Sequence, residues 1–215
     1  MKEIETRTGR RVGTGGCGRP AKNISVLFFL LFSSSVAAFE DTRPERITDP
    51  EPGRFSVCYD HSCASVATLS LTDAEWARAS APLVERAGNA ADERRAIAAS
   101  IAQFEQIVGT YLGTTADRGG NLAGFGRPGQ LDCIDESTNS TTYLHMLAQA
   151  GLLRYHTLQK PVTRFGLFVG MPHTTAVIRE NASGVRYAVD AWFFDNGQPP
   201  YITELAAWKS GVDPY

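Results

Sequence analysis

Four residues, NASG at positions 181–184, separate HTTAVIRE from VRYAVDAW, two stretches rich in β-branched and aromatic residues. A connection this short joins antiparallel strands, because parallel strands need a crossover of about a dozen residues or more. Pairing Glu180 with Val185 across the turn sets His173 opposite Trp192 and Asp190 opposite Thr175. Side chains alternate faces along a strand, so His173 and Asp190 share a face as diagonal neighbours. A register shifted by two puts them directly opposite, and a slip of one separates them. Asp190 is also out of place by composition. A carboxylate in YAVDAWFF is costly to bury unpaired, and His173, Arg179 and Arg186 are the partners within reach.

The chain before this hairpin is helical. Thr72-Asp73-Ala74-Glu75 reads as a capping box, in which hydroxyl and carboxylate satisfy orphan backbone donors. It starts a helix expected to run to about Ala87. Asn89 caps a second helix, with Asp92 and Glu93 in its first turn, where the macrodipole favours them. Ile97, Ile101, Phe104, Val108 and Tyr111 recur at helical spacing and predict a core-facing stripe. A Gly-rich stretch of 17 residues, 114–130, follows, and loops of that length are functional or disordered. A third helix is expected over 133–150, with Tyr143, Leu144 and Leu147 inward and Gly151 as its stop. Strands are expected at 152–159, 164–170, 173–180 and 185–192, and a surface tail from Phe193. Helices first, then a helix packed on an antiparallel sheet, predict an α+β domain over residues 56–215, preceded by an extended arm at 39–55.

Residues 1–38 read as an address. Lys2, Arg7, Arg10, Arg11, Arg19 and Lys22 precede 15 uncharged residues, 24–38, ending in Val36-Ala37-Ala38. A bilayer-spanning helix needs about 20 apolar residues, so this is the pattern of a secretory signal peptide cut after Ala38, the alternative being an uncleaved anchor. The expected location is periplasmic or secreted, with no stable membrane span after cleavage. The remainder holds 15 Lys+Arg against 21 Asp+Glu, a net charge of −6. Its basic residues are scattered and outnumbered, which excludes a nucleic-acid footprint. Cys58, Cys63 and Cys133 remain, and an odd count in an oxidising compartment leaves one thiol over. Cys58 and Cys63 are expected to pair. Reading Cys58, His61 and Cys63 as metal ligands falls one short of a closed zinc site, so no metal and no cofactor are expected.

The remaining thiol sits in GQLDCIDEST, among helix-start residues rather than core residues. A helix N-terminus lowers a thiol's pKa and favours the nucleophilic thiolate, and its free N–H groups can hold an oxyanion. Gln130 is a further candidate oxyanion donor. Of the four histidines, His145 lies twelve residues along the same helix, roughly 18 Å away, and His61 belongs to the disulfide loop. His156 opens a strand without a carboxylate partner in view. His173 has Asp190, which can fix the imidazole tautomer and stabilise imidazolium. Taken singly, each has a plain reading: a buried thiol, a strand-end histidine, a salt-bridged aspartate. Trp76, Trp192 and Trp208 read as packing. Asp132, Asp135 and Glu136 read as a solvated cap, with calcium binding the alternative.

Cys133 at a helix start, the following AGLLRYHTL, His173 on one strand and Asp190 in YAVDAWF on the next resemble the transglutaminase-like branch of the papain-like superfamily. Within it they look most like the exported bacterial transglutaminase-like cysteine proteinases. The resemblance spans residues 131–194, with gaps of 40 and 17 residues between the three groups. The chain departs from that pattern in the polar IDESTNSTT after the cysteine and in Thr174-Thr175 after the histidine. The resemblance implies a papain-like core and a Cys133-His173-Asp190 triad. It implies a thiol-dependent hydrolase or acyl transferase, first of all a peptidase acting on an amide bond of a protein or peptide substrate. LDCIDEST also resembles the start of NlpC/P60-like cell-wall amidases, whose third group usually follows the histidine closely. A non-catalytic periplasmic binding or assembly protein on the same scaffold is the rival from another class.

Overall fold

The structure is a computed structural model that describes residues 45–85, 87–124, 126–165 and 171–215. The expected leader, residues 1–38, and the first part of the expected arm lie outside the described residues. The described residues form an α+β fold with two antiparallel sheets and four α-helices. A hairpin comes first: β1 (Phe55–Tyr59) pairs with β2 (Ser65–Leu69). Two helices follow, α1 (Asp73–Val84) and α2 (Ala90–Leu112), then α3 (Cys133–Gln149). The second sheet is a meander of β3 (His156–Phe165), β4 (Pro172–Glu180), β5 (Arg186–Asp190) and β6 (Tyr201–Glu204), and a last helix, α4 (Leu205–Lys209), packs against it. Among the described residues no helix is long and apolar enough to cross a membrane.

Local chemistry sets the helix ends. The Glu75 N–H donates to Thr72 Oγ1, and Glu75 Oε2 accepts from the Thr72 N–H at 2.8 Å, closing the capping box. Asn89 Oδ1 accepts from the Asp92 N–H at 2.9 Å at the start of α2. Gly151, at φ 71°, takes the left-handed position that ends α3.

The core lies where α2 and α3 meet β1 and the main sheet. Ile97, Ile101, Phe104 and Val108 are buried there, and Phe104 stacks on Tyr143 of α3 with ring centroids 4.7 Å apart. Tyr111 departs from the stripe. It is 49% exposed, because α2 runs past the edge of the core there, and its hydroxyl donates to Glu75 Oε1. One turn earlier on α3, the Asn139 amide bonds both the N–H and the carbonyl of Cys58, at 2.7 and 2.9 Å. A helix side chain thus satisfies backbone groups of β1 that a third strand would otherwise take.

Three expectations need correction. The arm is packed at its end: Pro50 and Phe55 are buried, the Ile47 N–H donates to Ser56 Oγ, and the Leu71 N–H donates to the Pro52 carbonyl. The strand expected at 152–159 runs on as β3 to Phe165, into the start of the strand expected at 164–170, the rest of which lies outside the described residues, and its register shifts between Gln159 and Val162. Pro161 lies in that shift, where a residue without an N–H cannot hold a ladder bond. The tail from Phe193 does not run over the surface. It folds back as β6 and α4, placing Leu205 and Trp208 in a second buried cluster with Val177 and Ala188.

Candidate active site

The start of α3 carries more than a cap. Asp132 is the N-cap, with Oδ1 accepting from the N–H groups of Ile134 and Asp135, both at 2.9 Å. Asp135 reaches back to the Asp132 N–H. The same two carboxylates also hold the loop closed by the Cys58–Cys63 disulfide. Asp135 accepts from the N–H groups of His61 and Cys63, each at 2.8 Å. Asp132 accepts from the N–H and hydroxyl of Ser62. The loop needs these bonds because Asp60, His61, Ser62 and Cys63 all have φ between 54° and 65°. A left-handed conformation costs a non-glycine residue roughly 1–2 kcal/mol, which charge-assisted bonds and the crosslink offset. The disulfide takes both sulfurs out of any metal set. Among the described residues no cluster of three or more histidine, cysteine and acidic side chains is arranged to hold a metal ion.

Asp132 is a cap at the surface, but the other two acids are not solvated. Asp135 and Glu136 are buried. Burial and the charge of Asp132 push Asp135 up to about 6, against three backbone hydrogen bonds. Glu136 lies deeper and is pushed well above the carboxylate range, first by burial and then by Glu105, Asp117, Asp135 and Asp190. Glu105 of α2 rises to about 8 for the same first reason. A patch of carboxyl groups that prefer to keep their protons therefore lies beneath the start of α3.

The hairpin has the register that the turn at 181–184 sets. Glu180 N–H donates to the Val185 carbonyl at 2.8 Å, and Ala176 pairs with Val189. His173 and Asp190 thus fall on one face, and His173 Nε2 lies 2.6 Å from Asp190 Oδ2. Neither Arg179 nor Arg186 takes the carboxylate. Cys133 is half-buried at the end of β4, its sulfur 3.9 Å from the Pro172 carbonyl oxygen. With Nε2 committed to Asp190, Nδ1 is the ring nitrogen left for the thiol. Burial pulls His173 down, but hydrogen bonds to Asp190 and Cys133, and the charges of both, outweigh it and hold the ring at about 9 against an ordinary 6.5.

A scan against protein-family models, a search of curated proteins and a search of solved structures each find no match.

The cap leaves one N–H uncommitted. Ile134 and Asp135 bond the Asp132 side chain and Glu136 bonds the Asp132 carbonyl, whereas the Cys133 N–H has no acceptor among the described residues. It is the donor available to an oxyanion formed at the sulfur's target. Gln130 is not available. Its Nε2 donates to the carbonyls of Ala116 and Gly129, and its Oε1 accepts from Arg118 and Asn121. Gln130 braces the long loop 114–130. That loop is fastened to the segment beside His173: Gly120 N–H donates to the Trp192 carbonyl at 2.7 Å, and Gly119 N–H to Asp195 Oδ1 at 3.1 Å. Gly119 is needed for the approach, since a Cβ there would sit 2.4 Å from the Phe193 carbonyl oxygen.

The other histidines are placed elsewhere. His61 Nε2 accepts from the Gly126 N–H, His156 is buried against Glu93, and His145 lies a dozen residues along α3 from Cys133. His173 itself is enclosed by aromatic rings, Trp192 at 4.9 Å, Phe193 at 5.3 Å and Trp208 at 5.5 Å between centroids. Trp208, read from sequence as packing, also donates its indole N–H to Asp190 Oδ2 at 2.7 Å. No local sequence signal marks that contact, because it depends on the fold-back of the tail.

Proposed function

We propose that the protein is an exported thiol-dependent hydrolase or acyl transferase on a papain-like, transglutaminase-like scaffold, acting first of all as a peptidase. One observation carries the reading: a histidine clamped to a buried aspartate through Nε2, with a free cysteine at the first position of a helix close enough to help raise its pKa. An imidazolium beside the sulfur and an unpaired N–H at the helix start both favour a thiolate. The thiolate of Cys133 attacks the carbonyl carbon of an amide. The tetrahedral oxyanion faces the Cys133 N–H. His173 Nδ1–H protonates the leaving nitrogen, the C–N bond breaks, and a thioester to Cys133 remains. His173, now neutral, takes a proton from the incoming water or amine as it attacks. The acid or the new amide leaves, and the thiolate returns. Asp190 orients His173 and stabilises its charged form throughout. The basic, apolar leader supports export, and the disulfide loop suits an oxidising compartment.

Incubation of the purified protein with fluorescein-labelled casein, with and without cadaverine, tests the reading. Fragments indicate hydrolysis, and amine incorporation indicates transfer. Either product should disappear in Cys133→Ala and in His173→Ala. Absence of both, together with no covalent adduct on Cys133 from a peptidyl vinyl sulfone, would contradict the proposal and leave the non-catalytic scaffold.

A further inference from the structure

The face of the sheet that carries His173 and Asp190 is the one that α4 covers. Val177 lies four residues along β4 from His173, and Ala188 two along β5 from Asp190, so each shares its partner's face, and both pack against Leu205 and Trp208. Arg164 of β3 pairs directly with His173 and reaches the same helix. Its guanidinium lies 4.5 Å from the Trp208 ring, donates to the Trp208 carbonyl, and pairs with Asp213. Trp208 is thus fixed from both ends: its backbone and ring face by Arg164, its N–H by Asp190.

We propose that Trp208 is a positioning residue for the histidine, holding Asp190 in the orientation that clamps His173 and closing the His173–Asp190 bond from water. The inference rests on the reading of Cys133, His173 and Asp190 as a working triad. Asp190 Oδ2 receives both donors, so the carboxylate has two anchors on one oxygen. Without the indole donor it keeps, among the described residues, only the imidazole, and rotation about its side-chain torsions would break that bond as well. The indole is fully buried and stands 5.5 Å from the imidazole centroid, where water would otherwise compete for the carboxylate. The charged or titratable groups around the pair are Cys133 and Glu136 of α3, Arg164 of β3 and Asp213 beyond α4. Of these, Arg164 alone touches Trp208, and phenylalanine at 208 keeps the backbone carbonyl and a ring for it to face.

The test is the titration of the His173 imidazole by NMR in wild type, Trp208→Phe, Asp190→Asn and the double variant. Phenylalanine keeps a ring and removes only the N–H. The expected result is a His173 midpoint lowered by about one pH unit in Trp208→Phe, a tenfold change in proton affinity, and little further change on adding Trp208→Phe to Asp190→Asn. An unshifted midpoint, or an equal shift in both backgrounds, would overturn the proposal. In wild type, the Trp208 indole proton should also resonate far downfield, exchange slowly with solvent and move as His173 titrates. A rapidly exchanging indole proton that ignores His173 would overturn it without any variant having to fold. Ordinary Cys133 reactivity alongside the expected titration would sink the enzyme reading and leave the Trp208 linkage standing, so the two failures are distinguishable.

Discussion

Among the described residues lie two buried histidine–carboxylate pairs, and they are built to opposite ends. In the first, Glu93 of α2 accepts from the N–H groups of Arg154, Tyr155 and His156 and faces His156 Nδ1 at 2.9 Å. Arg94 donates to His156 Nε2 and also bonds Glu180. Both ring nitrogens are spent, and neither side chain reaches solvent. In the second, Asp190 is as deeply buried, but His173 keeps 12% of its side chain exposed and spends only Nε2 on the carboxylate. The first pair ties the start of β3 to α2. The second leaves a nitrogen free to take and return a proton. Burial and a short hydrogen bond do not distinguish the two, whereas the fate of the second ring nitrogen does.

Exchanging the two deletions breaks the comparison most directly. Asp190→Ala should slow Cys133 turnover and labelling by on the order of 10²–10⁴, the range for losing a positioned acid–base group, in a protein that still unfolds cooperatively. Glu93→Ala should do the reverse. It strands the three backbone N–H groups that Glu93 accepts from, and an unsatisfied buried donor costs about 1–3 kcal/mol, visible as a lower urea midpoint, while the folded fraction keeps wild-type thiol reactivity. Similar kinetic losses in both variants would erase the distinction. Gly119→Ala should come next, at about 1–3 kcal/mol for overpacking, because its Cβ would meet the Phe193 carbonyl. Labelling should slow as the segment beside His173 shifts. Thr72→Ala, which removes a cap remote from both pairs, should cost about 1 kcal/mol and leave reactivity untouched.

The pH dependence of stability sharpens the contrast further. His173, held at about 9 against 6.5, contributes stability that is complete below about 6.5 and lost as the pH rises through 9. Glu105, raised from 4.5 to about 8 first of all by burial, acts in the same direction. Its neutral form supports the fold fully below about 4.5, and that support is gone above about 8. Melting temperatures should therefore fall between pH 5 and pH 9. Glu105→Gln, which stays neutral, should flatten that fall, and an unchanged slope would count against the buried acids.

Local signals carried much of this. The four-residue turn fixes the register of β4 on β5, and the side-chain alternation that follows puts His173 beside Asp190. The capping boxes at Thr72 and Asp132 need only neighbouring residues, and four of the five stripe residues of α2 bury as their spacing predicts. What escaped depends on contacts distant in sequence. Asn196-Gly197 and Pro199-Pro200 signal a turning tail, and the short β6 and α4 beyond them are buried only through the sheet they cover. Trp208 consequently reads as packing until the tail is folded back. Asp135 and Glu136 have polar sequence surroundings and become buried because the disulfide turn and α2 close over them. The left-handed run from Asp60 to Cys63 has no glycine to announce it, and it exists because two carboxylates on α3 hold its N–H groups.

The central claim is that Cys133 and His173 act as one ionisable pair. Its most direct test is the rate of Cys133 alkylation by iodoacetamide across pH, in wild type and His173→Ala, with Cys58 and Cys63 left oxidised. The account predicts fast labelling that persists well below the ~8.5 of a free thiol and collapses in the variant. Slow labelling that follows ordinary thiol titration and is indifferent to His173 would contradict it.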